Sequence, residues 1–148
     1  MKSSARPFAY FDTSVIVKNY IREAGSERAR QLFRTHHVVT SAISALESVS
    51  AFRRNHASGS IGEAGYSAIL NRFQKDRAKL DLLELTGTIL ESAEKYVSEH
   101  NVRALDALHL ATAMVTGIRF PKRLLFVTAD SSQRDAGLQL GLKIVWVE

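Results

Sequence analysis

The segment Leu105 to Thr116 constrains the fold more than any other. It carries Leu105, Ala107, Leu108, Leu110, Ala111, Ala113, Met114 and Val115, with Asp106 and His109 as its only ionisable groups, and Gly117 ends it. Its length suits a helix, and a helix that is apolar almost all round is buried all round. Such a helix packs across the centre of a sheet. The strands are short apolar runs at 8–11, 38–40, 82–85, 124–127 and 144–147, bounded by turn or helix-start residues. Helical stretches occupy 14–21, 27–35, 42–56, 61–79, a segment starting at Thr86, and 132–140. The order β-α-α-β-α-α-β-α-α-β-α-β predicts an α/β fold: a central, mainly parallel sheet of four to five strands with helices on both faces. The third helix is expected to turn Ile43, Leu46, Val49 and Phe52 inward, and the fourth Ile61, Ala64, Ala68, Ile69 and Phe73. Trp146, in the last strand, reads as core.

The 148 residues fit a single domain, 1–148, without repeat or linker. A chain of this length buries roughly 70% of its unfolded surface. The absence of cysteine excludes disulfides, thiolate zinc sites and cysteine nucleophiles. Met1 to Arg6 is polar with no apolar signal core behind it, and no run of about 18 apolar residues occurs. The expectation is a cytoplasmic protein with no membrane segment. The 20 Lys and Arg against 15 Asp and Glu leave a net charge of +5, which suits a polyanionic partner.

Most of the fifteen acids lie on charged helix faces; four do not. Asp12 stands where the first strand stops, and Asp130 ends the fourth strand in the same way. Glu47 lies in the small-residue stretch Ser44-Ala45-Leu46-Glu47-Ser48, and Asp106 begins the apolar helix. Each has a structural reading: Asp12 and Asp130 as helix caps, Asp106 as a charge favoured by the helix dipole, Glu47 as a partner of Arg53 or Arg54. A second reading joins them. Strand ends of a parallel sheet share one crevice, and carboxylates gathered there repel until a cation neutralises them. Oxygen-only ligands suit Mg²⁺ or Mn²⁺ rather than zinc, and such ions activate water for displacement at phosphorus.

At these positions the sequence resembles the PIN-domain nucleases, and among them the VapC-type toxins of toxin–antitoxin pairs. The matching segments are Tyr10-Phe11-Asp12-Thr13-Ser14, Ser44-Ala45-Leu46-Glu47, Leu105-Asp106-Ala107-Leu108-His109-Leu110-Ala111-Thr112-Ala113 and Phe126-Val127-Thr128-Ala129-Asp130, in family order and across essentially the whole chain. The resemblance implies a PIN-like fold and an Mg²⁺- or Mn²⁺-dependent endoribonuclease. Asp12, Glu47, Asp106 and Asp130 match the acidic metal-binding positions, and Ser14 and Thr128 the polar positions beside them. It also implies structured RNA as substrate, a homodimer, and neutralisation by a cognate VapB-type antitoxin.

Lys18, Arg53, Arg54, Arg119, Lys122 and Arg123 are the basic residues expected to contact RNA phosphates. His109 shares a helix side with Asp106. It reads as hydrogen-bonded near the site or at a dimer contact rather than as a general base. Asp135 reads as part of a solvated helix face. Two alternatives differ in chemistry: a non-catalytic RNA-binding or interaction module on the same fold, and a haloacid-dehalogenase-type phosphatase. The second wants another Asp two residues after the first, where this chain has Ser14.

Overall fold

The computed structural model describes residues 5–119 and 124–148. The elements run β1 (Phe8–Phe11), α1 (Thr13–Lys18), α2 (Ser26–Thr35), β2 (His37–Ser41), α3 (Ile43–Ala57), α4 (Glu63–Asp76), a 3₁₀ turn (Arg77–Lys79), β3 (Asp81–Leu83), α5 (Gly87–Glu99), α6 (Ala104–Gly117), β4 (Leu125–Thr128), α7 (Ser131–Gln139) and β5 (Lys143–Trp146). The five strands form one sheet in the order β3-β2-β1-β4-β5. Every pairing is parallel. The α/β expectation holds, with five strands rather than four.

Side chains of successive strand residues point to opposite faces, and the core divides accordingly. Ala9, Phe11, Val38 and Val127 pack beneath α1 to α4, with Val15, Ile16, Leu32, Phe52 and Phe73. Tyr10, Val39 and Phe126 lie on the other face with Leu110 and Ala113 of α6 and Ala136 of α7. On the outer side of α6, Ala107 and Ala111 meet Ile89 and Ala93 of α5. Small residues at that seam let the two helices approach closely. β1 leads to β2 on one side, and the chain later crosses to β4 on the other. The β1–β4 seam is therefore the topological switch point, where open α/β sheets form a crevice.

Several sequence expectations are corrected. α1 ends at Lys18, short of Ile21. The inward face of α3 is Ser44, Ala45, Ser48, Ala51 and Phe52, while Leu46 is 71% exposed. Ser44 is drawn in by Thr40 at 2.6 Å, which rotates Leu46 outward. α4 buries only Phe73, which meets Tyr20 and Phe52 edge-on; Ala64 and Ala68 face solvent because α4 is peripheral. α6 is not enclosed all round: its first turn projects past the sheet and leaves Leu105 exposed. Trp146 is half-buried on edge strand β5, where the Arg134 guanidinium lies 4.5 Å over its ring. Among the described residues no helix is long and apolar enough to cross a membrane.

Candidate active site

The crevice at the β1–β4 seam has a volume of about 400 Å³, and Asp12, Glu47, Asp106 and Asp130 all line it. A second lobe of about 830 Å³ shares Glu47, Asp106 and Asp130 and adds Arg103 and Ser132. Four elements, distant in sequence, supply the acids: the end of β1, the second turn of α3, the first turn of α6 and the end of β4.

Asp12 is both a cap and a cleft residue. Its Oδ1 accepts from the Val15 amide at 3.3 Å, closing the N-terminus of α1. The Ser14 hydroxyl donates to Oδ1 at 2.6 Å and the Thr128 hydroxyl to Oδ2 at 2.9 Å. Ser14 Oγ accepts from the Ala129 amide at 3.0 Å, so the two hydroxyls stitch β1 to β4. The side chain is fully buried. Burial pushes its pKa up to about 6, against the opposing pull of His109, Ser14, Thr128 and the Val15 amide.

Asp130 repeats the arrangement at α7, where its Oδ1 accepts from the Gln133 amide at 2.9 Å. Gln133 then turns its Nε2 to Asp106 Oδ1, also at 2.9 Å. Asp106 is raised above the usual carboxylate range by burial first and by the charge of Asp130 second, with Glu47 adding to it and Gln133 opposing. On the far wall Glu47 Oε1 accepts from Thr13 Oγ1 at 2.8 Å and lies 2.8 Å from His109 Nε2. Burial disfavours its ionisation, but the hydrogen bond and charge of His109 and the Thr13 hydroxyl outweigh burial, and its pKa falls.

Each acid is thus held by its own donors. Among the described residues no three His, Asp or Glu side chains stand close enough together to share one ion. An ion bound here has to draw the carboxylates together. The donor chemistry fits a hard divalent cation all the same: the set is all oxygen, Asp106 is raised by burial and then by the charge of Asp130, and Gln133 Oε1 is buried with no hydrogen-bond partner among the described residues.

The basic residues divide. Lys18 and Arg54 line the crevice; Lys18 pairs with Glu23 at 3.1 Å and Arg54 donates to Ser50. Arg53 is exposed on α3 outside the crevice lining. Arg119 lines a separate groove beside β3. Lys122 and Arg123 lie outside the described residues. Asp135 is exposed and pairs with Arg134 at 2.9 Å, away from the crevice. Sequence reasoning missed Thr13, Gln133 and Arg103. The available signals were position: Thr13 follows Asp12, Gln133 stands three residues after Asp130, and Arg103 three before Asp106.

The PIN domain family model matches residues 9–138. Ribonuclease VapC46 of Mycobacterium tuberculosis is 34% identical over 137 residues, covering 92% of this chain and 95% of that protein. The crystal structure of FitAcB from Neisseria gonorrhoeae superposes with a TM-score of 0.70 at 16% identity, over 93% of this chain and 96% of that one. VapBC2 from Rickettsia felis, bound to a DNA fragment from its promoter, superposes with a TM-score of 0.64 at 11% identity, over 95% and 99%. The two structures share the fold; the family model and the relative in sequence carry the further step, and this chain belongs to the PIN-domain family.

Proposed function

We propose that the chain is a divalent-metal-dependent endoribonuclease and the toxin of a toxin–antitoxin pair. One observation carries the reading: four carboxylates from four separate elements line a single crevice at the switch point of the sheet. A relative with 34% identity being named a ribonuclease supports it.

Asp12, Asp106 and Asp130 would hold Mg²⁺ or Mn²⁺, and Glu47 would ligate it or orient water. When bound, such a cation polarises the phosphate and lowers the pKa of the attacking water. The chain's own residues do the rest. Ser14 and Thr128 keep both oxygens of Asp12 in one orientation. Gln133 donates to Asp106 at the crevice and keeps its own Oε1 without a hydrogen-bond partner among the described residues. Lys18 and Arg54 flank the acids in one lobe and Arg103 in the other. Cations on both sides of the acids suit an RNA strand whose phosphates continue past the scissile bond in each direction. A VapB-type antitoxin as partner belongs to the same proposal, supported by the fold shared with a toxin–antitoxin complex from Klebsiella pneumoniae and with VapBC2; structured RNA as substrate and a homodimer rest on the family resemblance.

The test is incubation of the purified chain with total cellular RNA in Mg²⁺, in Mn²⁺ and in chelator, beside Asp106→Asn. Discrete fragments that require the metal and vanish in the variant are expected. RNA binding that is indifferent to chelator, with no strand scission by antitoxin-free refolded protein, would favour the non-catalytic module instead.

A further inference from the structure

His109 is 1% exposed and both of its ring nitrogens are engaged. Nε2 lies 2.8 Å from Glu47 Oε1 and Nδ1 lies 2.7 Å from the Tyr10 hydroxyl. Two lone pairs at 2.8 Å repel, so the proton between ring and carboxylate sits on Nε2. Tyr10 is wholly buried, its ring stacked on Phe126, and a phenol carries its proton at neutral pH. It therefore has a proton to give to Nδ1. Oxygen to ring to carboxylate, the three side chains form one chain of hydrogen bonds from the sheet to the crevice wall.

The topology gives this chain a purpose. α3, carrying Glu47, packs on one face of the sheet, and α6, carrying His109, on the other. The two helices share few other contacts. The Glu47–His109 bond spans the two layers across the carboxyl edge of the sheet, directly over the crevice. On the carboxylate, Oε1 takes both Thr13 and His109, whereas Oε2 has no hydrogen-bond partner among the described residues. A carboxylate clamped by one oxygen presents the other in a fixed direction, as groups behind metal ligands do in general.

We propose that His109 is a positioning residue: oriented by Tyr10, it locks Oε1 of Glu47 so that Oε2 is the atom offered to the cation site. The proposal rests on the nuclease reading for its consequence in catalysis, but its geometry is independent of that reading.

The experiment compares wild type with His109→Leu, His109→Gln and Tyr10→Phe. The first readout is the ¹⁵N ring signature of His109 by NMR on metal-free protein. The second is Mn²⁺ affinity by calorimetry, and the third is kcat and KM for RNA cleavage. The expected ring form has a proton on Nε2 and a bare, hydrogen-bonded Nδ1 that loses its partner in Tyr10→Phe. His109→Leu should weaken Mn²⁺ binding about 10- to 100-fold and lower kcat with KM little changed. His109→Gln, whose amide places an N–H where Nε2–H stood, should restore most of both. Tyr10→Phe keeps the stacked ring and should show a smaller loss in the same direction. A His109→Leu protein that melts earlier yet binds Mn²⁺ as wild type does would make the histidine merely structural and overturn the proposal. A ring protonated on Nδ1 alone would overturn it too. If wild type binds Mn²⁺ but cleaves no RNA, the nuclease reading fails, while the ring signature and the metal affinities still decide the role of His109.

Discussion

Asp12 on the floor of the crevice and Glu47 on its wall stand beside the same histidine, yet their surroundings push them in opposite directions. Asp12 is fully enclosed, and the cost of desolvation exceeds what its hydroxyl and amide donors return. Glu47 is partly open to water, so the same kind of donors outweigh burial and its carboxyl is easier to ionise than usual. Depth, more than the number of hydrogen bonds, separates them. The floor stores unfavourable charge that a cation would relieve; the wall is stable as an anion with or without one.

The largest test of that contrast is Asp12→Asn. Cleavage of RNA should fall by about a thousandfold or more, since an amide in place of the deepest anion removes both charge and ligand. A variant within tenfold of wild type would remove Asp12 from the site. The same substitution should have the reverse effect on the stability of the metal-free protein. The folded-state pKa of about 6 lies above the ordinary 3.8, so the folded chain binds the extra proton. The stability this contributes is complete below about pH 4 and is lost as pH rises to 6, about 3 kcal/mol in all. Urea denaturation in chelator should show that decline in wild type and its absence in Asp12→Asn. Glu47→Gln should remove a slope of the opposite sign, because a lowered carboxyl contributes stability that disappears as pH falls through the acid range.

A third test lies between floor and wall. Gln133→Leu takes away the donor to Asp106 and, with it, the buried orphan oxygen. Mn²⁺ affinity read by calorimetry should drop about 10- to 100-fold; an unchanged affinity would confine Gln133 to structure. The smallest effect is a control. Thr86 caps α5 as Asp12 caps α1, accepting from the Ile89 amide at 3.3 Å, but it lies outside the crevice. Thr86→Ala should cost about 1 kcal/mol and leave cleavage untouched. Loss of cleavage would mean that a modest loss of stability is enough to silence the site, and the effect of Asp12→Asn would then need a stability control.

Strands and helices were legible wherever apolar periodicity was strong, as at α6 and β4. Asp12 and Asp130 were legible because a charge ending a buried run is costly without a purpose. The sequence offers their cap and crevice roles as alternatives, whereas both hold at once: one oxygen closes the helix and the residue still lines the cleft. Tyr10 reads from the sequence as an aromatic of a buried strand, with nothing to name a partner for its hydroxyl. Its hydroxyl gains a partner 99 residues away, and that meeting depends on which sheet face α6 covers. Leu46 was misplaced because helical periodicity does not say that a Thr40–Ser44 hydrogen bond sets the rotation of α3. Gln133 gives only a faint sign, its place three residues after Asp130; an amide on a polar helix becomes notable only once Asp106 is beside it.

β1 is the first strand of the chain and the middle one of the sheet. One of its two neighbours, β4, follows almost everything else, and the hydroxyl that fixes Asp12 Oδ2 comes from Thr128, 116 residues later. A nascent chain therefore carries Asp12 with one edge of its strand unpaired and no crevice to occupy until β4 is made. Any chain cut short before β4 is missing the seam itself, not merely one ligand. The fold dates the appearance of the site to the making of β4, and a product that stops short of it lacks the strand on which Asp12 is held.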